Sequence, residues 1–302
     1  MSPLVLLACG DSGGSSPATP DPGAAREGPL SVFVVHYPLR YMAERIGGEH
    51  VRVSFPAPAG VDPATWIPDG DTLAAYQSAD LILRNGARYA RWVALASLPR
   101  ARVVDTSAAF GDRLIPLEGS VTHTHGPSGA HAHEGTAFTT WLDPTLATLQ
   151  ARAVEQALSR ARPEHAASFS ANLERLEADL RALDARLAAV AEHVGDTPIL
   201  FSHPVYQYLI RRYGLNARSV HWEPDESPDE AMWSGLDALL EAHAARWMIW
   251  EGAPLSATRR ALQDRGVDSL VFDPCANAPA DGDFLAVMQG NARALEGAFA
   301  TP

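Results

Sequence analysis

Between Pro163 and Gly195, eight apolar residues (Phe169, Leu173, Leu176, Leu180, Leu183, Leu187, Val190 and Val194) recur at alternating spacings of four and three. That spacing lines up one face of a single α-helix, which Pro163 can open and Gly195 can stop. At 1.5 Å per residue, about 30 residues extend on the order of 45 Å, the length of two small lobes side by side. A coiled coil has the same spacing, but the repeat occurs once and is framed by α/β sequence on both sides. The helix 163–195 is therefore read as a rigid strut between an N-terminal lobe over 30–160 and a C-terminal lobe over 196–302. With 302 residues, 46% of them apolar, the chain has material for two cores.

Short β-rich runs alternate with helical patterns on either side of the strut. Strands are expected at 31–35, 51–55, 80–83 and 101–104, then at 198–202, 217–220, 247–250 and 269–272. Such alternation implies an α/β fold, two lobes with mainly parallel sheets. Gly47-Gly48, Gly60 and Gly214 fall where helices or turns should stop.

A formal net charge of −12 argues against nucleic acid, whose phosphates would be repelled, and favours cations. Two cysteines cannot form a disulfide framework. Cys9 ends Leu6-Leu7-Ala8-Cys9, a run like the lipobox of bacterial lipoproteins; residues 1–9 are read as a truncated lipoprotein signal and 10–29, rich in Gly, Ser and Pro, as a flexible tether. This implies an extracytoplasmic, membrane-anchored lipoprotein, in the periplasm or at the cell surface. Cys275 is read as a small buried hydrophobe, with a soft metal ligand as the alternative.

Histidines carry most of the chemical information. His123, His125, His131 and His133 crowd one window containing Gly126, Pro127, Ser128, Gly129 and Gly135, so an irregular loop of labile metal ligands is expected, against a low-complexity insertion with no site of its own. A second set comes from strand ends, since open parallel sheets bind ligands beyond the carboxyl ends of their strands. His36, His203, Glu251 and Asp273 each follow an expected strand, and two imidazoles with two carboxylates could complete a zinc site if the lobes face one another. Taken singly, each is more often a hydrogen-bonded loop residue or a helix cap. Among seven tryptophans, Trp66, between Pro63 and Pro68, is the one expected in the cleft.

In order along the chain, Tyr37-Pro38-Leu39, Gly60-Val61-Asp62-Pro63, Asn85-Gly86 through Trp92, Trp141-Leu142-Asp143-Pro144, Ser202-His203-Pro204 and Asp273-Pro274 resemble the solute-binding proteins of zinc and manganese ABC importers. The resemblance implies two α/β lobes joined by a long helix, with a metal held between them by three histidines and a carboxylate. Only half of that set carries over. Ala64 stands where the family has the histidine of Asp-Pro-His, and Thr139 stands where it has a histidine two residues before the Trp of Trp-Leu-Asp-Pro; His203 and Asp273 remain. The retained His203 resembles the zinc rather than the manganese subgroup. Alanine has no donor atom and a neutral threonine hydroxyl is a poor one. The loop histidines rank first as replacements, being able to move, with His36 and Glu251 next.

The expected function is a non-enzymatic receptor, monomeric, that binds Zn2+, or Mn2+ or another divalent metal, and passes it to an ABC transporter permease. Alternatives are a metal-scavenging or metal-sensing lipoprotein without a transporter, and a receptor for a metal chelate or organic ligand. No nucleophile–base motif, phosphate-cradling glycine loop or His-Glu-x-x-His helix points to an enzyme.

Overall fold

The computed structural model describes residues 28–124 and 130–300, with side chains between 118 and 134 left aside. Cys9 and most of the tether lie outside the described residues, as do His125 and the side chains of His123, His131 and His133.

All eight expected strands form, with ends displaced by at most two residues. β1 (Leu30–Val34), β2 (Val51–Ser54), β3 (Leu81–Arg84) and β4 (Val103–Asp105) make a parallel sheet in the order β2-β1-β3-β4. A hairpin of β5 (Pro116–Thr124) and β6 (Ala130–Thr136) follows, and then β7 (Ile199–Phe201), β8 (Ala217–Ser219), β9 (Trp247–Trp250) and β10 (Asp268–Val271) make a second parallel sheet. Its order, β8-β7-β9-β10, repeats the topology of the first. The short central strand β7 is buried throughout as Ile199-Leu200-Phe201, as expected of a strand covered on both faces.

The strut is α5 (Ala166–Val194), opened by one 3-10 turn at Pro163–His165. Seven of its eight periodic residues are buried, and Leu173 packs against the same core. Polar bonds on its flanks tie it to both sides: Asn172 donates to the Ile46 carbonyl at 2.8 Å, and Arg186 pairs with Glu296. α1 (Tyr37–Gly47) and α9 (Phe284–Phe299) pack against it, so one apolar core runs from the first sheet to the second.

The expectation of an irregular segment at 123–133 is corrected. β5 and β6 pair antiparallel, with His123 opposite His131 and Val121 opposite His133. Three of the four residues Val121-Thr122-His123-Thr124 are β-branched, which suits a strand.

Candidate metal centre

The loops beyond β7, β8 and β9 bring three donors together. His203, Glu223 and Glu251 place one ligand atom each within 4.8 Å of the others, the one such group among the described residues. His203 Nδ1 and Glu223 Oε1 are 3.3 Å apart. Two vertices of a tetrahedron with metal bonds of about 2.0–2.1 Å stand at about that separation, so the pair fits a zinc-sized ion without rearrangement.

Backbone pairing explains the convergence. Beyond β8 the ladder continues through Val220 N–H to Phe201 O at 2.9 Å and Trp222 N–H to Ser202 O at 2.7 Å, which draws Glu223 alongside His203. Ser202 N–H in turn donates to Ile249 O at 2.8 Å, fixing the start of the His203 turn against the end of β9, one residue before Trp250 and Glu251. Trp222 packs on Trp250, ring centroids 6.3 Å apart, behind the two carboxylates. The imidazole is nearly buried, with 4% of its side chain exposed, against 16% for Glu223.

These donors line a cleft of about 290 Å³ whose remaining wall comes from the first lobe and from the segment after β10. Asp62 and Asp273 also line it and, among the described residues, no Lys or Arg does, so its field favours cations. Burial raises the Asp273 carboxyl above its ordinary range, partly offset by the Cys275 N–H, which donates to its Oδ1 at 2.7 Å. Asp273 lines the cleft and lies outside the group of three.

The other expected residues lie elsewhere. His36 is fully buried at the N-cap of α1: its Nδ1 accepts from Leu39 N–H at 3.2 Å and its Nε2 donates to Asn85 Oδ1 at 3.0 Å, so neither nitrogen faces the cleft. Burial lowers its pKa to about 3. Trp66, expected in the cleft, lines instead a neighbouring cavity of about 420 Å³, edge-on to Trp92 at 6.5 Å. Its backbone N–H closes a turn onto Asp62 O, carrying the ring past the cleft mouth; Trp141 is the tryptophan in the cleft wall. Cys275 is buried, and burial raises its thiol pKa, as suits a small hydrophobe. The Thr139 hydroxyl donates to the Val205 carbonyl across the lobes.

Glu223 is the candidate donor that sequence reasoning missed. The signal was present, because the strand-end argument applies equally to 217–220 and Glu223 follows that strand closely.

Comparison with known proteins bears on the same segments. The profile of the periplasmic zinc-uptake complex component A, ZnuA, matches residues 32–298. A putative metal-binding protein of Treponema pallidum is 25% identical over 242 residues, 77% of this chain and 75% of the relative. The zinc-binding protein AdcA of Streptococcus pyogenes is 25% identical over 287 residues; the chain spans 56% of that relative's length. In structure, the metal-dependent lipoprotein YcdH of Bacillus subtilis superposes with a TM-score of 0.76 at 21% identity, covering 89% of this chain and 98% of YcdH, which establishes a shared fold.

Proposed function

Because this chain belongs to the family of the periplasmic zinc-uptake component ZnuA, a family of metal-binding solute receptors and not of enzymes, we propose that it captures a divalent metal, zinc first, in the cleft between its lobes and delivers it to an ABC permease. The observation that carries the reading is the meeting of His203, Glu223 and Glu251 at one point of the cleft wall. Glu223 and Glu251 take the place of the two family histidines that Ala64 and Thr139 cannot supply, and all three donors come from one lobe. One imidazole with two carboxylates accepts Zn2+ and also Mn2+, and the ordinary order of divalent affinities places zinc ahead. Asp273 stands as a further oxygen donor for a larger coordination shell. The lobe limits 30–160 and 196–302, joined by α5, belong to the same reading.

Competition titration of zinc against a chromophoric chelator tests it. His203→Ala should weaken binding at least about tenfold, 1.4 kcal/mol, while thermal unfolding shows the variant folded. A folded variant with undiminished affinity would remove the cleft from metal capture.

A further inference from the structure

The first-lobe side of the cleft carries little that holds a metal and much that holds an organic molecule. Ala64 has no donor, and the Thr139 hydroxyl is committed to Val205. Asp62 accepts the Ala64 N–H at 2.9 Å and stands outside the group of three donors. What this lobe presents is aromatic: Tyr89, Phe138 and Trp141 line the cleft, with Tyr89 edge-on to Phe138 at 5.2 Å and to Trp141 at 5.7 Å.

Tyr89 has two further properties. It is 5% exposed, and its hydroxyl has no hydrogen-bond partner among the described residues. Burial, with Asp62 nearby, holds the phenol pKa well above its ordinary value, so the group stays a donor. Its neighbours Arg88 and Ala90 adopt left-handed backbone, φ 61 and 50, which costs non-glycine residues energy and is found where a site over-determines a conformation. The Tyr89 phenol is thus a buried donor with no acceptor among the described residues, on a ring that lines the cleft and the neighbouring cavity.

The cleft, about 290 Å³, is far larger than an ion and near the small end of pockets for organic ligands, about 300 Å³ upward. Zinc held by one imidazole and two carboxylates keeps at least one coordination position open.

We propose, resting on the metal-receptor reading above, that the cargo enters as a metal bound to a small planar chelator bearing a carboxylate. His203, Glu223 and Glu251 hold the ion, the aromatic wall covers the chelator's face, and the Tyr89 phenol donates to its carboxylate oxygen.

The test compares zinc alone with zinc plus one equivalent of pyridine-2-carboxylate, using wild-type protein and Tyr89→Phe, with affinities expressed against free zinc. The ternary complex should bind wild type at least about tenfold more tightly than zinc alone. In Tyr89→Phe that ratio should fall below about threefold, with no loss of melting temperature, since the variant deletes an unpartnered hydroxyl. A wild-type ratio near or below unity, or a full ratio retained in Tyr89→Phe, overturns the inference. Zinc bound alone with no gain from the chelator leaves the metal receptor standing without the chelate, whereas folded protein that binds neither form removes both.

Discussion

His36 and His203 occupy equivalent points of two sheets with the same strand order, each just beyond the first strand at the switch point. The residue at the end of the neighbouring strand gives each a different partner: Asn85 after β3 accepts from His36 Nε2, whereas Glu251 after β9 brings a carboxylate to His203. Both histidines were legible as strand-end residues; which partner each would meet depends on pairing across strands far apart in sequence, and that was not. The buried His36 has a consequence for stability. The unfolded chain takes up a proton near pH 6.5, the folded one only near pH 3, so stability is full above 6.5 and falls as pH drops toward 3. Between pH 6.5 and 5 this histidine alone should cost about 2 kcal/mol. Urea unfolding of His36→Asn, which keeps an acceptor at the cap, should show lower stability at pH 7 and a flatter pH dependence. A slope equal to wild type would contradict the neutral buried imidazole.

At the scale of elements, the strut and eight strands were readable because each rests on a local periodicity, 3.6 for α5 and a short apolar run for strands such as β7 and β9. The β5–β6 hairpin was not, because glycine and proline at 126–129 dominate the composition of the window, and of its flanks only 121–124 is rich in β-branched residues. Its histidines ranked first as replacements for Ala64 and Thr139, whereas the proposed site draws one of those donors from the second sheet, where Glu223 stands beside His203. Replacing 118–134 with a short Gly-Asn turn should therefore leave the equilibrium zinc affinity within about threefold of wild type. A loss of tenfold or more in the same competition titration would return the hairpin histidines to the site. Deletion should be tolerated by the fold, since the described base of the hairpin, Leu117 and Thr136, borders the neighbouring cavity and not the main core.

Across the whole molecule, the two sheets share one long helix and the core around it, and polar bonds lock them at the cleft: Trp141 Nε1 donates to Pro274 O at 2.8 Å, and Asn277 Nδ2 donates to the Pro58 and Val61 carbonyls at 2.8 Å each. On the proposed reading such a body presents its cargo between the lobes, and Leu6-Leu7-Ala8-Cys9 would hold it at a membrane; no helix among the described residues is long and apolar enough to cross one. Cys9→Ser should move the protein from the membrane to the soluble fraction on cell fractionation; unchanged membrane association would count against the anchor. The resemblance pointed to two lobes and to His203 but not to Glu223, because the proposed one-lobe site departs from the family at the very residues a motif reads. The central claim is that this rebuilt set holds the ion, and anomalous diffraction at the zinc edge from zinc-loaded crystals tests it most directly. The account requires a peak about 2.0–2.2 Å from His203 Nδ1 and from a carboxylate oxygen of both Glu223 and Glu251. A fully occupied peak at the hairpin histidines, with the cleft empty, would contradict it.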